Sequence, residues 1–483
     1  MPLPLLCRCL VALPLSLAMA CATNPVTGKR ELSLMSEAQE VAMGKESDAQ
    51  IRQEMGVYDD PELQKYVSDL GLRMAKQSER PMLPWQFTVV DQPAINAFAL
   101  PGGFIYITRG ILPFLDSEAE LAGVIGHEIG HVTARHGAQQ YTRSIGGQVG
   151  LVALGVFVPA ARPFGELSSQ ALALLFLRYG REDELQADGL GARYTVTQGW
   201  DPAGVQGMLS TLGRLDEAAG ERKGVPNFLS THPEPLARVK EVEPLVQQLK
   251  SGRTSLVTDR PALLRRVDGL VFGDNPDQGV TRGSSFLHPP LRFRVDFPSG
   301  GEVSNSAQQV VTKAPNADLF MLLHLVPQPQ GTNIQDIALA SMQKAGFQPA
   351  QGERTTINGL DAYVGVYQGQ IEGLGPVTSR AAHIRHNNQV FFVAGLAAPN
   401  LFAQADAAFG TSVRTFRALS AAEAESIRPT RVDVYVVRAG DTWAGLAERS
   451  GGAVKPAALA VMNGASPATP PRAGAEIKIV VAG

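Results

Sequence analysis

Cysteine is almost missing from this 483-residue chain: the three present, Cys7, Cys9 and Cys21, all fall at the extreme N-terminus. No thiolate is at hand elsewhere for a metal or a nucleophile. Once a leader ending at residue 20 is removed, at most Cys21 remains, which excludes an intramolecular disulfide even in an oxidising compartment. Histidine is scarce as well, with eight. An excess of positive charge is lacking: 43 Lys+Arg against 46 Asp+Glu leave a formal net charge of -3, no long charge block and no basic face for nucleic acid. Stability must therefore come from packed cores, and 44% hydrophobic residues over this length suggest roughly two to four domains.

Against that scarcity, His127, Glu128 and His131 spell H-E-x-x-H within Gly126-His-Glu-Ile-Gly-His131. Four residues is just over one helical turn, so both imidazoles project from one face where a single divalent cation takes a nitrogen from each. Glu128 then sits beside the metal's open position, placed to take a proton from an attacking water. Upstream, Ser117 with Glu120 predicts a capping box, and Leu121, Val124 and Ile125 predict an apolar stripe, so the motif is expected on a helix with a buried face.

With no thiolate available, a third ligand must be another histidine or a carboxylate. A metzincin-type site would need Gly and His where Ala134 and Gly137 stand. His136 is one residue out of register, about 100° away around a helix, and is read as capping or packing the helix end. A carboxylate from a second helix is expected instead, and Tyr179-Gly-Arg-Glu-Asp-Glu-Leu-Gln-Ala-Asp188 supplies one. Glu184 and Asp188, four apart, share a face: Glu184 would bind the metal and Asp188 would accept the outer N–H of a ligand histidine, with small Ala187 letting the two helices approach. Glu182 and Asp183 compete for the ligand role, with a solvated acidic helix start as their other reading.

Asn96-Ala-Phe-Ala-Leu-Pro-Gly-Gly103, the H-E-x-x-H helix, Arg181 with Glu184 and Ala187-Asp188, and Ser230-Thr-His-Pro233 together resemble metallopeptidase family 48, in the family's order and over about half the chain. The resemblance implies a zincin-type (gluzincin) fold with one Zn2+ per chain held by His127, His131 and Glu184, Glu128 as base and Asp188 behind the histidines. It also implies that Asn96, Ala97, Phe98, Ala99, Gly102 and Gly103 form an edge strand and turn along which a peptide substrate adds as a further strand. The β-rich runs Gln86–Val90 and Phe104–Thr108 around a Pro-Gly-Gly turn agree with that. In relatives the histidine matching His232 stabilises the oxyanion or serves as a fourth zinc ligand; a plain helix-capping role stays open. Arg238 could support the oxyanion or bridge acids.

Residues 1–20 carry one cation, Arg8, then an apolar run and Ala18-Met-Ala20, which reads as an export signal. Cys21 follows directly, and Cys21-Ala-Thr-Asn-Pro-Val-Thr-Gly28 resembles the mature start of lipoprotein members of the family, so Cys21 is expected to be acylated. Ala22 after it, where Asp would signal inner-membrane retention, favours an outer-membrane anchor in the periplasm. Ile145 to Ala161 is apolar but short for a span, with four Gly, Gln148 and Pro159, and is read as a buried helix or lid.

The expected class is α+β: a mostly helical peptidase domain with a small sheet over 21–250, a linker over 251–285, an α+β accessory domain over 286–420, a linker over 421–434 and a small domain over 435–483. In the accessory domain Leu291–Phe297 and Val390–Ala394 read as strands and Ile334–Gly346 as a helix, an outline resembling PsbP-like domains; His288, His324, His383 and His386 there lack a paired carboxylate. The last segment, with Tyr435-Val-Val-Arg-Ala-Gly-Asp-Thr-Trp443, Met462-Asn-Gly464 and Ala473 to Val480, resembles a LysM module. That resemblance implies peptidoglycan binding, against which stands a packing role on the peptidase. With the module gripping peptidoglycan as a separate domain, truncation before Arg431 is expected to reduce sedimentation with purified sacculi without affecting hydrolysis of a soluble peptide. The expected function is a zinc endopeptidase acting on unfolded or misassembled envelope proteins; the alternative is a chaperone or cell-wall-binding scaffold with a self-inhibited zinc site.

Overall fold

The computed structural model describes residues 21–146, 178–219, 228–315, 317–329, 331–371 and 374–483. The expected export signal and most of Ile145 to Ala161 lie outside the described residues. Helix and strand are mixed along the chain, in keeping with an α+β protein. One compact unit holds the described residues up to Phe272 together with Arg431–Val481, and a second holds Gly273–Thr430.

The first unit opens with two helices whose starts are legible residue by residue. Ser36 and Gln39 close a reciprocal capping box on the helix Glu37–Met55. Asp60 caps the helix Pro61–Ala75, which buries Leu63, Val67, Leu70 and Met74 on one face, the 3.6-residue period of its apolar positions. A three-stranded sheet follows. Gln86–Val90 runs parallel to Phe104–Thr108, and Ala97–Leu100 pairs antiparallel with Phe104–Thr108 and forms an edge. The turn between them needs positive φ at Gly102 (85°) and Gly103 (102°), and a Cβ on Gly102 would lie 2.6 Å from Val41 Cα, so only glycine fits this close approach.

The helix Glu118–Thr133 lies at the centre. Instead of an apolar stripe, it is buried on nearly every side from Leu121 to Thr133, as expected of a helix covered by neighbours all round. Ser117 Oγ accepts from Glu120 N at 3.2 Å, but Glu120 reaches one residue beyond the cap, to Asp116 N at 2.8 Å, so the expected capping box is not reciprocal. Against this helix packs Arg181–Thr197, where Gly126 and Gly130 meet Gly191 and Ala187: a Cβ on Gly126 would stand 3.0 Å from Gly191 Cα. Small residues on both helices are what allow the separation that the site requires.

The segment 251–285 is more than a connection. Asp259 caps the helix Arg260–Val267 through Ala262 N, and Leu263, Leu264 and Val267 are buried. The C-terminal segment forms a strand, two short helices and a strand: Arg431–Val436 pairs with Glu476–Val481, with Trp443–Glu448 and Pro456–Val461 between them. It shares one hydrophobic core with the rest of the first unit, joined by Val432, Leu446, Leu459, Met462 and Ile479. Gly269 N donates to Val432 O and Val432 N to Leu270 O, continuing backbone pairing into the segment that precedes the second unit. Lys478, wholly buried, donates through Nζ to Leu115 O, just ahead of the central helix.

In the second unit a seven-stranded antiparallel sheet runs Gln348–Ile357, Leu360–Ile371, Gly375–His386, Gln389–Ala397, Leu319–Leu325, Gln309–Lys313 and Glu302–Asn305 in spatial order. Alternate residues feed two cores, one under the helix Ile334–Lys344 (Tyr363, Ala381, Phe392) and one under Pro399–Arg414 (Ala362, Ala382, Phe391), the period-2 consequence of a sheet covered on both faces. The strands and the helix read from sequence over this region are present.

Candidate metal centre

His127 and His131, one turn apart on the central helix, bring their Nε2 atoms to 3.0 Å of each other. Glu184, on the helix Arg181–Thr197, places Oε2 3.6 Å from His127 Nε2 and Oε1 3.5 Å from His131 Nε2. His232 follows the short helix Phe228–Thr231, with Nδ1 2.9 Å from Glu184 Oε1 and 3.2 Å from His127 Nε2. The four donor atoms lie within 4.8 Å of one another, the one such group among the described residues, and all four side chains are buried. The edge of a tetrahedron with zinc-to-nitrogen bonds near 2 Å is about 3.3 Å, so the spacing fits a single ion.

Hydrogen bonding behind the donors fits the same conclusion. His127 Nδ1 donates to Asp188 Oδ1 at 2.9 Å, which leaves the Nε2 lone pair facing the centre. Arg238, buried, binds Asp188 through Nε (2.8 Å) and Nη2 (2.7 Å) and touches Glu184 Oε2 through Nη1 (2.5 Å). Of the two roles open to it from sequence, bridging the acids is the one its contacts make. Burial alone would raise the Asp188 carboxyl, but Arg238 and His127 outweigh it and hold it at about 2. For Glu184, burial is likewise overcome, by His232 and Arg238, and its pKa falls below the ordinary value. Both carboxylates are thus ionised, as metal binding and histidine orientation require.

Glu128 differs. It is fully buried, both carboxylate oxygens lack a hydrogen-bond partner, and burial raises its pKa despite the nearby His232 and His127. Its Oε1 lies 3.7 Å from His232 Nε2. A buried acid left without partners beside a cluster of metal donors is costly unless water or substrate is to meet it there.

Glu182 is exposed, and Asp183 Oδ2 accepts from Gly180 N at the helix start, so neither competitor enters the donor cluster. The strand Ala97–Leu100 is next to the centre: Ala99 and Leu100 line a small cavity with His131 and Tyr179. Asn96 precedes the strand, its backbone tied to Thr108 Oγ1. Gly102 and Gly103 lie in the turn rather than on the strand. The side chain of Cys21 is not described; its backbone opens a short strand paired with Arg30–Leu32. His288, His324, His383 and His386 stay outside any metal-holding group among the described residues.

Two contacts with His131 were not foreseen from sequence. Tyr179 stacks on His131, ring centroids 3.9 Å apart and 24° between planes. His136 turns back onto His131, because the helix breaks at Arg135, a non-glycine residue with φ of 61°. Arg135 is held there by Met35 O (2.6 Å) and Glu40 Oε1 (2.6 Å), while Asn24 Nδ2 donates to Ala134 O at 3.1 Å. His136 stays outside the donor group, as expected, but it reaches the outer side of His131 because it no longer lies on the same helix.

Residues 61–246 match the family model described as Peptidase family M48. This stretch is a family M48 peptidase domain. Zinc is the metal of that family, in agreement with the donor set. Curated relatives include the Beta-barrel assembly-enhancing protease of Escherichia coli (strain K12), 29% identical over 238 residues, which are 47% of this chain and 48% of the relative. Another is the Mitochondrial metalloendopeptidase OMA1 of Arabidopsis thaliana, 32% identical over 231 residues, 45% of each chain. The chain spans about half the length of these relatives. Among solved structures, a cyanobacterial PsbP from Synechocystis sp. is similar over 30% of this chain at 12% identity with a TM-score of 0.23, a likeness that carries no argument. No helix among the described residues is long and apolar enough to cross a membrane.

Proposed function

We propose that this chain is a zinc-dependent endopeptidase that hydrolyses unfolded or misassembled proteins of the bacterial envelope, working in the periplasm as an outer-membrane lipoprotein. The observation that carries the reading is Glu128, buried without partners beside the donors of the M48 domain. In this reading His127, His131 and Glu184 hold the ion, and Asp188 and Arg238 keep His127 and Glu184 in place. Bound zinc supplies Lewis acidity, drawing electron density from a peptide carbonyl and easing the ionisation of water. Glu128 takes a proton from the attacking water as its oxygen bonds to the carbonyl carbon, then passes it to the amine nitrogen as the C–N bond breaks. Asn96, Ala97, Phe98 and Ala99, with the turn at Gly102 and Gly103, offer a substrate backbone an edge to pair with, which gives affinity with little sequence selectivity. Casein hydrolysis that stops with a chelator and returns with added zinc is the expected result; hydrolysis indifferent to the chelator would sink the reading.

His232 supports a second reading of the resting state. Its Nδ1 stands among the other donors, and in this reading it would serve as a fourth protein ligand that closes the site at rest, as in a self-inhibited protease or a chaperone-like scaffold. Under that reading His232→Ala raises basal casein hydrolysis while zinc is kept. Were His232 instead to stabilise the oxyanion, the same variant would lower turnover with metal unchanged. No change in either quantity would leave His232 a structural residue.

Acylation of Cys21 is checked by the mass of the mature N-terminal peptide, where an unmodified thiol would rule out the anchor. The strand–helix–helix–strand order of Arg431–Val481 supports a LysM-like module, and peptidoglycan is its proposed ligand.

A further inference from the structure

We propose that His136 is a positioning residue for His131: its Nδ1 accepts the outer N–H of that ring, and Gln186 fixes the tautomer of His136 that makes this possible. The inference rests on the reading of His131 as a zinc ligand. To offer Nε2 to a metal while neutral, His131 must carry its proton on Nδ1, and that atom lies 2.9 Å from His136 Nδ1. His136 Nδ1 must then be bare and its proton on Nε2, which faces Gln186 Oε1 at 2.9 Å. Each donor meets an acceptor from His131 to Gln186, and both rings are buried.

Gln186 and Asp188 sit on the same helix as Glu184. That helix therefore contributes one metal donor directly, orients His127 through Asp188, and orients His131 through Gln186 and His136. The two outer contacts differ in kind: His127 leans on a carboxylate and His131 on a neutral ring. The break at Arg135, fixed by Met35, Glu40 and Asn24, is what allows His136 to reach back. If His136 merely filled space, its edge-to-face contact with His131, centroids 5.0 Å apart, would be served equally by any side chain of similar volume.

Two variants separate these cases. In His136→Leu the volume remains and the acceptor is lost; in His136→Asn the Oδ1 falls near the position of Nδ1 and accepts. Zinc affinity by chelator competition on the full chain should weaken about 10- to 100-fold in His136→Leu, the usual range for such outer contacts, and His136→Asn should recover most of it. The visible spectrum of the cobalt-substituted protein should shift in His136→Leu and return toward wild type in His136→Asn. Equal zinc affinity in wild type and both variants, or equal weakness in Leu and Asn, overturns the inference. Should His136→Leu fail to fold by circular dichroism, Gln186→Leu replaces it: weaker zinc binding there supports the relay and unchanged binding overturns it. Failure of the underlying reading looks different, since wild type would then bind no stoichiometric zinc, or Glu184→Ala would bind it as tightly as wild type.

Discussion

Glu128→Gln is expected to reduce kcat on a peptide substrate by about 10²- to 10⁴-fold, the span assigned to a general base, while the protein keeps about one zinc per chain. The amide has the shape of the carboxyl but cannot take a proton from water. His127, His131 and Glu184 are untouched by the change, as are Asp188 and Arg238 behind them, so the reason to bind metal persists. Stability gives an independent check. The Glu128 carboxylate is fully buried with both oxygens unpartnered, and replacing a charge in that position by a neutral amide lowers the desolvation cost. The metal-free variant should accordingly melt no lower than metal-free wild type. Peptide turnover near the wild-type rate, or loss of zinc measured by elemental analysis, would contradict the base role.

The parts of this site that could be read from sequence were those set by spacing along one helix. His127 with His131, and Glu184 with Asp188, are each four apart, and a helix has no choice but to place them on one face. Ala187 was legible for the same reason, as the small residue beside them. Parts set by tertiary contacts were not. His136 depends on a helix break at Arg135 that its side chain makes with Met35 O and Glu40, residues about a hundred positions away. Arg238 could be assigned to the acids only once its own helix lay against theirs. The capping box expected of Ser117 and Glu120 failed by one residue because Glu120 found Asp116 N first. In the accessory unit, alternation gave the strands, yet their pairing order follows from contacts far apart in sequence. Lys478 is the sharpest case. Within Glu476-Ile-Lys-Ile-Val480 a lysine reads as the exposed face of a strand, whereas the structure buries it entirely because the central helix's own N-terminal loop covers that face.

That burial reverses the expectation that the C-terminal segment is separable. Truncation before Arg431 should destabilise the M48 domain itself, with the melting temperature falling by roughly 10 °C or more and hydrolysis of a soluble peptide falling with it. Leu115 O, next to the start of the helix that carries His127 and His131, would lose its donor Lys478. Arg260 would lose Glu476 O and Asn463, although its ion pair with Asp116 at 3.0 Å would remain. Core residues on the peptidase side would face water where Leu459, Met462 and Ile479 now sit. Each large apolar side chain exposed costs about 1.5–3 kcal/mol, and about 1 kcal/mol shifts the melting temperature by some 2–4 °C in a domain of this size, so loss of only a few such contacts reaches the stated fall. Lys478 also predicts how the intact chain responds to pH. Burial depresses its pKa from 10.5 to about 8, so between those values the unfolded chain holds a proton that the folded chain does not. Stability carried by this group therefore rises as pH climbs from about 8 toward 10.5, and Lys478→Met should remove that rise. Melting curves of the three proteins, read beside peptide turnover and sedimentation with purified sacculi, separate bracing from glycan binding. A truncated chain that melts with wild type and hydrolyses peptide normally, losing only its attachment to sacculi, would show the segment to be an appended anchor after all.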